Sequence, residues 1–116
     1  MPVSKSYRTF VLEQLNRALP SVRAKAMFGG VGIYSGDVFF ALIADDVLYV
    51  RTDEPGRAEF ESLGMVPFRP FEEHGPMMSY YQLPEDVLEE PERLRPWAER
   101  AIEAARAKRR RPRKRR

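Results

Sequence analysis

The sequence predicts an α+β fold, with one antiparallel sheet packed under helices as a two-layer sandwich. Three observations lead there. Apolar residues recur at helical spacing near both ends of the 116-residue chain. Between them lie β-branched and aromatic runs separated by Ser35-Gly36-Asp37 and Asp45-Asp46. Links that short force antiparallel neighbours, because a parallel return needs a crossover of about a dozen residues. One domain is expected at this length, and 43% hydrophobic with 11% aromatic residues can build a core without staples.

The elements follow in order. Over residues 6–19, Tyr7, Val11, Leu15, Ala18 and Leu19 share one helix face, with Arg8, Glu13, Asn16 and Arg17 mostly opposite. Ser4 or Ser6 can cap its start and Pro20 stops it. Strands are expected over 26–34, 38–44 and 47–52, and the nearly continuous apolar run from Phe39 to Ile43 marks a central, well-covered strand. Asp53 and Pro55 open a short helix through Ala58, Phe60 and Leu63, ended by Gly64. Residues 66–71 and 77–83 read as a second hairpin around a loop at 72–76. Pro67 and Pro70 make its first strand irregular or an edge. Leu94, Trp97, Ala98, Ala101, Ile102 and Ala105 form the stripe of a last helix, expected to start at Pro96 after a shorter turn over 85–95. The expected order is α-β-β-β-α-β-β-α, with five strands.

The charge is segregated along the chain. A net +3 combines 20 Lys+Arg with 17 Asp+Glu, but residues 108–116 (KRRRPRKRR) hold eight of the bases and no acid. The first 107 residues carry twelve bases and seventeen acids, a balance of −5. We therefore expect a folded domain over 1–107 with no broad basic face, and a disordered basic tail over 108–116. With no cysteine, disulfides and thiolate metal sites are excluded. No apolar run approaches the ~20 residues of a membrane span, and residues 1–20 lack the apolar stretch of a signal peptide. A cytoplasmic chain without membrane contact is expected.

The search for chemistry returns little. His74 is the single histidine, in the loop EEHGP beside Glu72 and Glu73, with no second histidine to share a metal or a proton relay. Gly29-Gly30-Val31-Gly32 superficially resembles a phosphate-binding loop. Such loops follow a strand and open a helix, whereas here the glycines precede a strand, so a bulge, a bend or a close backbone approach accounts for them better. No serine stands in a Gly-x-Ser-x-Gly elbow, and Asp45-Asp46 suits a turn better than acid–base work. No catalytic residue, cofactor or metal ligand is assigned, and an enzyme is not expected. Strand alternation over 77–81 places Met77, Ser79 and Tyr81 on one face and Met78 and Tyr80 on the other. Tyr80 and Tyr81 either offer an interaction surface or are both covered.

The tail is the strongest signal. Lys108, Arg109, Arg110, Arg111, Arg113, Lys114, Arg115 and Arg116 can release counterions from DNA or RNA, in a manner blind to sequence. Against this stand the Arg-heavy composition, the solubilising use of such tails, and the lack of interleaved aromatics for stacking.

Several stretches in order resemble one family. They are MFGGVGIY (27–34), FALI (40–43), LYVR (48–51), RAEF (57–60) with LGM (63–65), MSYYQLP (78–84), and the helix around Trp97. Together they resemble the N-terminal domain of the TfoX/Sxy family of bacterial competence regulators, over roughly residues 8–107. The resemblance implies a secretion-chaperone-like α+β domain and a non-enzymatic role in controlling DNA-uptake genes. It brings no catalytic residues. Full-length members carry a second, helical C-terminal domain, and here the basic run is expected in its place. The expected function is a regulatory or interaction module with nucleic-acid contact through the tail. The alternatives are a module binding an unknown protein partner by a sheet edge or the Tyr80/Tyr81 strand, or a small-ligand domain around Gly29 to Gly32. The oligomeric state is not legible.

Overall fold

A computed structural model describes residues 2–27, 29–69 and 77–110. Helix α1 is Lys5–Ala18, and Ser4 is its cap: the Ser4 hydroxyl accepts from the Tyr7 amide at 3.2 Å. Strands β1 (Val22–Met27), β2 (Gly30–Ser35), β3 (Val38–Ala44) and β4 (Val47–Arg51) form an antiparallel meander. Helix α2 is Glu54–Ser62. Its cap Asp53 accepts from the Gly56 amide at 2.9 Å. Its far end closes when Gly64, at φ 79°, lets the Gly64 and Met65 amides donate back to Glu61 and Phe60. Strand β5 is only Pro67–Phe68, and β6 is Met77–Gln82. A single turn α3 (Glu85–Leu88) precedes α4 (Pro91–Arg110).

The α+β class and the antiparallel sheet are as expected; the strand count is not. Six strands lie in the order β1-β2-β3-β4-β6-β5, where five were expected. The run 26–34 is broken after Met27, so the tight connection through Gly29 (φ 81°) turns the chain back and pairs Met27 with Gly30. Residues 22–27 thereby become an edge strand. Proline also misled the reading of the last helix. Pro91 sits at the first helical position, where its missing N–H costs nothing, and α4 continues through Pro96. One backbone bond is lost there, to the carbonyl of exposed Glu92. At the other end α4 runs on through Arg110, so Lys108, Arg109 and Arg110 belong to a helix and not to a free tail.

One face of the sheet carries the core. Val31, Ile33, Phe40, Ala41, Ile43, Leu48, Val50 and Tyr81 meet Val11 and Leu15 of α1, Phe60 of α2, and Leu94, Ala98, Ala101 and Ile102 of α4. A bulge enriches that face. Ile33 pairs with Ala41 and Tyr34 with Phe39, so Phe40 is the extra residue, and both Phe40 and Ala41 turn inward. Gln14 of α1 is buried in this layer and donates at 3.0 Å to the carbonyls of both Leu88 and Glu89, satisfying the end of α3. Among the described residues, no helix residue joins the second cluster, on the opposite face of the sheet: Ala44, Phe68 and Tyr80 with Phe39, Leu42 and Tyr49.

Candidate functional site

Two surfaces merit attention as sites. The first is a cleft of about 520 Å³ between the end of β4, α2 and α4, lined by Arg51, Thr52, Asp53, Gly56, Trp97, Arg100 and Glu103 among others. Gly56 lets α2 approach Thr52 closely at that end, since a Cβ there would lie 2.4 Å from the Thr52 hydroxyl. Trp97 packs edge-on to Phe60 at 5.1 Å, and the Arg100 guanidinium lies 5.7 Å from the indole centroid. Arg100 also pairs with Glu59 at 2.6 Å, which occupies the carboxylate nearest the aromatic wall. The lining mixes both signs of charge and offers an apolar ledge. That arrangement suits docking of a side chain better than proton transfer.

The second surface is the sheet face on which none of the described helices packs. Residues directly opposite across strands share a face, so the register fixes its rows. Arg23 is opposite Tyr34, Tyr34 opposite Phe39, and Arg51 opposite Tyr80. The rings form a continuous series: Tyr34 to Phe39 at 5.3 Å and Phe39 to Tyr80 at 5.7 Å. Arginines cap both ends, with Arg23 5.0 Å from the Tyr34 centroid and Arg51 5.4 Å from that of Tyr80. A second row follows: Lys25 is opposite Gly32, Gly32 opposite Leu42, Leu42 opposite Tyr49, and Tyr49 opposite Gln82. Phe68 leans on Tyr49 at 5.0 Å. Gly32 leaves the gap that Met27 and Phe39 fill, since a Cβ there would meet Met27 Cε at 2.9 Å and Phe39 Cε1 at 3.0 Å. Burial raises the Tyr80 pKa, against the opposing pull of Arg51, and burial beside Asp45 raises that of Tyr49. Both rings are neutral donors at ordinary pH.

The expected site residues are dispersed. Tyr80 and Tyr81 do not make one exposed surface: they are 3% and 0% exposed and point to opposite faces. Tyr81 stacks on Phe60 at 5.8 Å and donates to Glu61 at 2.5 Å. Burial and this carboxylate push its pKa up to about 12. Of the tail, the Lys108 side chain is exposed, Arg109 and Arg110 lie at the end of α4, and Arg111, Arg113, Lys114, Arg115 and Arg116 lie outside the described residues. His74, Glu72 and Glu73 also lie outside them. The glycine run makes the bend and close approach expected of it: a Cβ on Gly30 would sit 2.7 Å from the Ile43 carbonyl oxygen. Asp45 and Asp46 form the β3–β4 turn at φ 53° and 55°, and Asp46 accepts from the Ser4 amide at 2.7 Å. Among the described residues no group of three His, Asp or Glu side chains could hold a metal, and no helix is long and apolar enough to cross a membrane.

Sequence reasoning missed the face built by Arg23, Tyr34, Phe39 and Tyr49. Its signal was alternation within β1, where Arg23 and Lys25 fall on the same side, but that reading requires β1 to be recognised as a strand.

These features define a class: a small two-layer α+β domain with a helix-covered sheet face, an open aromatic face and a basic C-terminal helix. Within that class the chain belongs to the family described as the TfoX N-terminal domain, whose model matches residues 13–105. It is also similar to the DNA transformation protein TfoX1 of Aliivibrio fischeri (strain ATCC 700601 / ES114), being 44% identical over 45 residues. That match covers 39% of this chain and 22% of the relative, so the chain matches about a fifth of the relative's length.

Proposed function

We propose that the chain is a non-enzymatic, cytoplasmic regulatory module related to natural competence, which contacts nucleic acid through its basic C-terminal run. Membership of the TfoX N-terminal family over residues 13–105 is the observation that carries this reading, supported by the relative named for DNA transformation. The eight bases of 108–116 supply the contact. Three of them fall at the C-terminal end of α4, where positive charge complements the negative end of the helix dipole.

The test is a fluorescence-anisotropy titration with duplex DNA at several salt concentrations. Replacing Arg111, Arg113, Lys114, Arg115 and Arg116 by serine removes charge while leaving α4 intact. The full chain should show log affinity falling with log salt at a slope of roughly −5 to −7 if six to eight charges engage, and the variant should flatten that slope. Equal affinity and slope for both chains would overturn the tail contact. A second reading is a protein-binding module. It is favoured by β1 being a sheet edge, whose outer backbone groups can pair with a partner strand. A nuclease-resistant protein partner, lost on Ala24→Pro, would support it.

A further inference from the structure

We propose that the open face of the sheet is a binding platform for a single DNA strand, with bases stacked on Tyr34, Phe39 and Tyr49. This surface is separate from the basic run and does not depend on it. Its ring series crosses β2, β3 and β6 with an arginine over each end, and its second row places Tyr49 and Leu42 behind. Tyr34, Phe39 and Tyr49 are half-buried, each leaving part of its ring to solvent, while Tyr80 is the floor between Phe39 and Arg51.

Charge selects the occupant. The six strands hold Arg23, Lys25 and Arg51 and no acidic residue, although the chain carries seventeen acids. The balance of −5 over residues 1–107 is a sum along the chain, whereas the strand register sets Arg23, Lys25 and Arg51 on one face. A polyanion with flat apolar groups matches rings bordered by Arg23, Lys25 and Arg51, with Asp45 the acid beside Tyr49. Aromatic stacking with backbone tracking is how single strands are held. Duplex DNA hides its base faces and cannot use the rings. The similarity to a protein named for DNA transformation selects DNA over RNA as the occupant.

The test uses the full chain and three fluorescent probes of about twelve nucleotides: oligothymidine, an abasic strand of equal charge, and oligouridine. Oligothymidine should bind about tenfold or more tighter than the abasic strand, since each stacked base contributes ~1–3 kcal/mol. Tyr34→Ala and Tyr49→Ala should each remove most of that ratio without changing abasic binding, and Tyr34→Phe should keep it. Exposed Lys25 on edge strand β1 allows Lys25→Glu as a variant that leaves the core untouched, and it should weaken oligothymidine binding severalfold. Serine substitution of the basic run should weaken oligothymidine and abasic strands alike, so failure of the tail contact and failure of the platform read differently. A ratio near one, unchanged binding by Tyr34→Ala and Lys25→Glu, or tighter binding of oligouridine would overturn the proposal.

Discussion

The two faces of the sheet come from the same strands by the same alternation, yet they carry different chemistry. Under the helices lie Ile33, Phe40, Ile43, Leu48, Val50 and Tyr81, all buried in one cluster with residues of α1, α2, α3 and α4. On the other side lie Tyr34, Phe39, Leu42 and Tyr49, half-buried and bordered by Arg23, Lys25 and Arg51. Stability depends mainly on the covered face, where every side chain lost leaves a hole. The open face has room for side chains chosen for contact with something else, because water or a ligand can replace what is removed.

The largest expected effect tests that division directly. Phe40→Ala should cost about 3–5 kcal/mol, because a fully buried ring leaves a cavity beneath α4. Tyr49→Ala on the open face should cost about 1 kcal/mol, as a half-exposed ring on a sheet does. Urea denaturation of both variants measures the difference, and equal losses would erase the distinction between the faces.

Next is an alkaline limb. Burial and then Glu85 push Tyr7 up to about 12, while burial and the Glu61 hydrogen bond push Tyr81 to about 12. Below pH 10 both hydroxyls are protonated in the folded and unfolded chain alike. Between pH 10 and 12 the unfolded chain ionises first, so stability falls as pH rises. The loss should be larger for fully buried Tyr81 than for half-exposed Tyr7, where solvent screens the charge, and Tyr81→Phe should flatten its share in melts recorded against pH. Tyr49 and Tyr80, on the open face, should contribute less.

The smallest effect concerns the turn that joins the two central strands. Asp45 holds φ 53°, a conformation that glycine adopts without strain. Asp45→Gly should therefore be neutral or stabilise by about 0.5–1 kcal/mol, whereas Asp46→Gly also gives up the bond to the Ser4 amide. Thermal melts of the two variants should separate in that order.

Much of the covered face was legible in the sequence. The α1 stripe, the Gly36-Asp37 and Asp45-Asp46 turns, the Asp53 cap with Gly64 behind it, and the buried row of α4 all depend on local chemistry. What escaped depends on pairing. Strand β1 is Val-Arg-Ala-Lys-Ala-Met, too weak in β-branched residues to announce itself, and its turn at Gly29 lies inside a run that reads as one strand. Pro96 looked like a helix start because its cost, one bond to a solvated carbonyl, is small beside the packing of Leu94 and Ala98. Gln14 reads as an ordinary polar helix residue until α3 is seen ending on it. The open basic face escaped for the same reason as β1: Arg23 and Arg51 are 28 positions apart in the chain and share a face only through register.

The most direct measurement is an NMR titration of the ¹⁵N-labelled full chain with oligothymidine. The account expects shifts at residues 23, 25, 34, 39, 49 and 51 on the open face, with Leu94, Ala98 and Ile102 under the sheet unmoved. Shifts confined to the end of α4 and residues 111–116, or centred on the Trp97 cleft, would contradict it.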